Sequence, residues 1–181
     1  MGTKKASAEE LDLRKALRET FAINQKANEK LVEAIAEAAW SKERPEGKGR
    51  TIAATAAHLH NVRLMWLKAA DKAAKLPGKL EGESATRAET QAALKASAAA
   101  VDALLEKALA DPEGRVPQFK PNVAAFVGYL VAHDAHHRGQ MAMLARQLGH
   151  PLDAKASYGL WEWGTLWKES GFGEKDGGKA K

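Results

Sequence analysis

The stretch that decides the reading is His133-Asp-Ala-His-His-Arg-Gly-Gln140, which places three of the chain's six histidines within five residues. It is flanked by Val123-Ala-Ala-Phe-Val-Gly-Tyr-Leu-Val-Ala on one side and by Met141-Ala-Met-Leu-Ala-Arg-Gln-Leu on the other. Within the motif only Gly139 opposes a helix, and a long helix tolerates a glycine. Phe126, Leu130, His133, His137, Met141, Leu144 and Leu148 recur at spacings of three or four, so they fall on one stripe of that helix. His133 and His137 thus sit one turn apart on a face that points into a core. A single core histidine finds one partner easily, but two at this spacing each need one. Imidazoles at i and i+4 can instead converge on one metal ion, about 2.0–2.1 Å from each nitrogen for zinc. Two ligands rarely suffice, so a third is sought elsewhere.

The whole chain bounds the setting. Its 181 residues suit one domain. The hydrophobic share leans on alanine, glycine and proline cluster between runs, and no long alternating Val/Ile/Thr segment calls for a sheet. An all-α fold follows. There are no cysteines, which excludes disulfides, thiolate ligands and a cysteine nucleophile. No stretch reaches the ~18 apolar residues of a membrane span and the N-terminus is polar, so a cytoplasmic protein is expected. Much of the formal charge of +5 comes from lysines at the two ends, which describes solvated tails better than a nucleic-acid groove.

Four helices are expected. Residues 1–6 are read as a disordered end. Ser7-Ala-Glu-Glu10 fits a capping box and opens the first helix, which runs to about Ala39 with Leu13, Leu17, Phe21, Asn24, Asn28, Leu31 and Ile35 on one stripe. Asn24 and Asn28 interrupt that stripe. They face either a polar group in the core or, with the helix rotated, solvent. Thr51 caps the second helix, from Ile52 to about Lys72, whose inner stripe is Thr55, His58, Leu59, Val62, Met65, Trp66 and Ala69. His60 lies about 200° from His58 on the wheel, beside Arg63 and Leu67. His58 is therefore preferred to His60 as the third ligand. Thr86-Arg-Ala-Glu89 caps a third helix to about Ala110, with no chemistry on it, and Asn122 caps the fourth, which stops at Gly149. Helices separated by loops of this length predict a four-helix bundle. Trp161, Trp163 and Trp167 belong to a short additional C-terminal helix, packed on the bundle or part of a subunit interface. The bundle is assigned to residues 7–170, and 171–181 to a flexible tail.

In a bundle, His58, His133 and His137 can meet in the core. Three nitrogens leave a coordination position open, the pattern of catalytic zinc, and imidazole also suits nickel, iron and copper. Bound water or a bound thiol would be made more acidic there. Asp134 points away from the metal face and is not assigned as a general base. His136 is assigned to the surface, while Arg138 and Gln140 are placed to hydrogen-bond across to other helices. The zinc-protease pattern HExxH fits poorly, since Asp134 stands where the glutamate is needed.

At this point the chain resembles the DinB/YfiT-like family of metal-binding bundles. The resemblance rests on Ala57-His58-Leu-His-Asn-Val-Arg-Leu-Met-Trp66, on His133–Gln140, and on Leu148-Gly-His-Pro-Leu-Asp153 with the tryptophan-rich segment after it. It implies an up-down-down-up four-helix bundle, often a homodimer. It also implies a divalent metal, commonly zinc or nickel, held by the residues matching His58, His133 and His137. Some relatives are transferases or isomerases that use low-molecular-weight thiols such as bacillithiol or mycothiol. The expected function is accordingly a metal-dependent thiol S-transferase or hydrolase-like enzyme with a small-molecule substrate. The alternative is a non-catalytic metal- or ligand-binding dimeric bundle.

Overall fold

The first helix begins where a carboxylate can satisfy its free amides. Asp12 accepts from the backbone N–H groups of Arg14 and Lys15, and α1 runs Leu13–Ala34. The computed structural model describes residues 11–172. The capping box expected at Ser7–Glu10 lies outside them. Leu13, placed on the inner stripe, is instead 66% exposed, because α1 enters the bundle only from Leu17 onward.

The remaining caps act as their sequences require. Thr51 accepts from Ala54 N–H and starts α3, Ile52–Ala70. Thr86 and Glu89 form a reciprocal capping box at the start of α4, Arg87–Ala110. Asn122 accepts from Ala125 N–H and starts α5, Val123–Gln147. Gly149, at φ +86°, closes α5: its N–H bonds the Arg146 carbonyl and that of His150 bonds Ala145, satisfying two orphan acceptors.

Two boundaries differ from the sequence reading. The first helix was expected to reach Ala39, but Ile35 and Ala36 are extended and a separate turn, α2, spans Glu37–Trp40. The break brings Ile35, Ala39 and Trp40 all into the core, and Trp40 Nε1 donates to the Ala85 carbonyl at 2.8 Å. The single C-terminal helix is also two, α6 (Ala154–Gly159) and α7 (Trp163–Glu169). Leu166 of α7 is sealed against Ile23 and Ala27 of α1, whereas Trp161 is 79% exposed.

The protein is thus an all-α helical bundle. Each of α1 and α3 packs on both α4 and α5. Arg18 of α1 grips Asp102 of α4, and farther along α1 Gln25 meets Arg63, which reaches back to Leu94; α1 and α4 are therefore antiparallel. Along α3, Trp66 meets Phe126 and Tyr129 while His58 meets His137, so α3 and α5 also oppose each other. Among the described residues no helix is long and apolar enough to cross a membrane.

The core falls into two apolar halves. One gathers Leu31, Ile35, Trp40, Leu59, Leu94, Met141 and Leu144. The other gathers Phe21, Leu67, Val101, Leu105, Phe126 and Leu130. In each long helix a polar residue separates them: Asn24 and Asn28 in α1, Arg63 in α3, Ser97 in α4, Asp134 in α5, and all five are buried. Leu130 borders this layer with no exposure. Leu130→Ala should lower the unfolding free energy by about 2–5 kcal/mol, the cost of a vacated leucine site. Urea unfolding followed by circular dichroism measures it.

Candidate metal centre

Helix periodicity stacks His133 and His137 one turn apart on α5, and the antiparallel crossing of α3 brings His58 over them. The ring centroids lie 4.6 Å apart for His133–His137, 4.8 Å for His58–His137 and 5.3 Å for His58–His133. One ligand-capable atom from each ring lies within 4.8 Å of the others. The Nε2 atoms of His58 and His133 are 3.4 Å apart. Two nitrogens on one tetrahedral ion, each about 2.05 Å from it, stand roughly 3.3 Å apart, so this pair already has the spacing of co-ligands. The residues fit a divalent ion.

His137 is buried, and His58 and His133 are half-buried at the edge of the core. Burial pushes the His58 imidazole down to about 4, with Arg50 and the other two rings adding to the effect. Burial also lowers His137, helped by His133 and His136 against an opposing hydrogen bond to Gln140. Both rings are therefore neutral at neutral pH, the state a metal requires. A groove of about 530 Å³ opens beside His58, lined among others by Arg50, Lys79 and Glu83.

The DinB family profile matches residues 9–165, most of the chain. The chain belongs to the DinB family. Neither the curated proteins nor the solved structures give a match.

Around the three rings this DinB protein builds a support that the sequence reading did not assign. The Asp134 carboxylate is fully buried. Its Oδ2 accepts from Asn24 Nδ2 at 2.8 Å, Asn28 Nδ2 at 2.7 Å and Arg63 Nη2 at 2.8 Å. Its Oδ1 faces His133 Nδ1 at 3.4 Å. Burial alone would raise this carboxyl, but the Arg63 charge and the hydrogen bonds from His133, Arg63 and Asn28 outweigh it and hold it well below the usual carboxylate range. His133 thus donates from Nδ1 to an anion and turns Nε2 toward His58, the arrangement that fixes a ligand imidazole. On His137 the same task falls to Gln140, whose Oε1 accepts from Nδ1 at 2.7 Å.

Asp134 does point away from the metal face, and it is a positioning group. Asn24 and Asn28 face a polar core partner rather than solvent: besides Asp134 they hold Arg138, whose Nη1 donates to both of their Oδ1 atoms at 2.6 Å. Gln140 stays on its own helix, where its Nε2 donates to the exposed His136. Arg63, grouped with His60 on a different face of the helix wheel from His58, is fully buried, and Met65 from the inner stripe is 51% exposed. The pull on that helix is electrostatic: Arg63 turns to Asp134, Gln25 and the Leu94 carbonyl. His60 is buried away from the triad and donates from Nε2 to the Gly78 carbonyl at 2.9 Å. Its neighbour Asn61 pairs both ways with the Leu80 backbone. Together they fasten the 78–84 loop, a wall of the groove, onto the helix that carries His58.

Asp134→Ala should cost about 3–5 kcal/mol, because it leaves the Arg63 guanidinium buried without its counter-charge. Urea unfolding against wild type reads this directly. A second outcome concerns pH. His58 titrates lower in the folded chain than in the unfolded one, so below pH 6.5 the unfolded chain binds more protons and gains ground. Metal-free protein should therefore lose stability as pH falls from 6.5 to about 4. Unfolding midpoints across that window should drop, and drop less steeply for His58→Gln.

Proposed function

We propose that the protein holds a divalent cation, zinc or nickel, on His58, His133 and His137, and that it is a metal-dependent enzyme, a thiol S-transferase or hydrolase-like in activity. The observation that carries the reading is the convergence of three imidazoles, two of them, His133 and His137, steered through Nδ1 by Asp134 and Gln140. A cation on three nitrogens with an open position would lower the pKa of a thiol or a water placed there. The chain's own residues supply the rest. Arg50 and Lys79, in the groove beside His58, suit an anionic group of a small-molecule substrate such as a low-molecular-weight thiol. Asp134 takes no proton from a substrate: it is sealed and already engaged by four side chains. We take the protein to be a cytoplasmic homodimer, the assembly to be weighed by light scattering. The competing non-catalytic reading draws on the exposed tryptophans of the C-terminal segment.

Elemental analysis of protein purified without added metal tests the assignment. Wild type and His60→Ala should retain about one ion per chain, while His58→Ala, His133→Ala and His137→Ala should each lose most of it. Loss at His60 equal to that at the other three would refute the ligand set. Metal-loaded protein should then accelerate the reaction of a bacterial thiol with a model electrophile. A rate no higher than that of His137→Ala would leave only the non-catalytic reading.

A further inference from the structure

On the flank of α5 turned away from the three histidines, a second cleft of about 430 Å³ runs between α1, α5 and the C-terminal turns. Its walls are apolar, with Ile23, Ala27, Val131 and Leu160 among them, and Trp161 and Trp163 stand at its edge. The volume lies in the range of small-molecule sites. One cation lines it, Arg138.

The state of that guanidinium points to a ligand. Only Nη1 is committed, to the two asparagine oxygens. Nε and Nη2 have no protein partner among the described residues, yet neither is sealed from solvent. No carboxylate of the described residues forms an ion pair with Arg138; the nearest in its network, Asp134, is paired with Arg63. Two guanidinium groups and one carboxylate leave the layer with one positive charge in excess. A cation that shares its one nearby carboxylate with Arg63 and stands against apolar walls attracts an anion more strongly than one in bulk water, and a guanidinium edge with two free donor positions matches a carboxylate in particular. A single cation suits a monoanion better than a phosphate dianion. The indoles, 79% and 46% exposed, offer flat apolar surface to an aromatic body.

We propose that this cleft is a second binding site, independent of the metal, for small aromatic monocarboxylates, with the acid on Arg138 and the ring against Trp161 and Trp163.

The test uses the full chain, stripped of metal by chelation and then dialysed free of chelator. Benzoate and indole-3-acetate are titrated against their neutral amides, with tryptophan fluorescence and calorimetry as readouts. Each acid should bind at least roughly tenfold more tightly than its amide. Arg138→Gln, which removes the charge and keeps an amide donor for the asparagines, should weaken the acid by a similar factor. Because Arg138 also supports the core, Ala142→Phe provides an independent check: it fills the cleft from α5 without touching that network, and should abolish binding while leaving the circular dichroism unchanged. Acid and amide binding alike, undiminished binding by Ala142→Phe, or no saturation of either acid by about 10 mM would overturn the proposal. So would binding seen only in metal-loaded protein, which would place the acid on the histidine centre instead.

Discussion

A carboxylate cut off from water must be surrounded by donors, and that requirement arranges the middle of this bundle. Asp134 has no exposed surface, and it draws Arg63 from α3 and Asn24 and Asn28 from α1. Breaking such a set leaves a bare charge in low dielectric, far more costly than losing one apolar contact. A helix displaced by one turn would strand Arg63 or Asp134, so the layer sets the mutual register of α1, α3 and α5 in a way that interchangeable alanines and leucines cannot. The two apolar halves on either side supply the bulk of the burial, while the polar layer specifies which halves meet.

The same layer determines how the histidines are presented. His133 follows directly on the geometry of Asp134, its neighbour in sequence, and His137 is held through Gln140 one turn further on. His58 comes from the opposing helix and depends on the register that Arg63 secures, since the two residues share α3. Rings already oriented by hydrogen bonds meet a cation without first losing rotamer freedom, which is how surrounding residues raise metal affinity.

Local signals made the long helices and the triad readable in the sequence. Thr51, Thr86 and Asn122 each mark a start with a side-chain oxygen, and the i,i+4 spacing of His133 and His137 survives any reasonable placement of the helix ends. What sequence pattern missed depends on distant partners. Nothing in Ala-Ile-Ala-Glu signals the break after Ala34; it serves Trp40, whose indole finds a carbonyl 45 residues away. Arg63 has no assignable role until the position of Asp134, 71 residues on, is known. The clue that was available lay in pairs: Asn24 with Asn28, and Asp134 with Arg138, are polar steps of one turn that match each other across two helices.

His60 and Asn61 carry a different consequence. They tie the 78–84 loop to α3 through backbone atoms of Gly78 and Leu80, not through the loop's side chains. Glu83 adds a side-chain tie, accepting from the Thr51 hydroxyl at the start of α3, but the anchoring at Gly78 and Leu80 is indifferent to the identity of Lys79 or Glu81. Those positions can be rewritten, and the lining of the groove with them, while the strap and the helix beneath it stay where they are. The residues that line the groove are thus separate from those that fasten it, so the scaffold can change the groove's surface without disturbing the helix that carries His58.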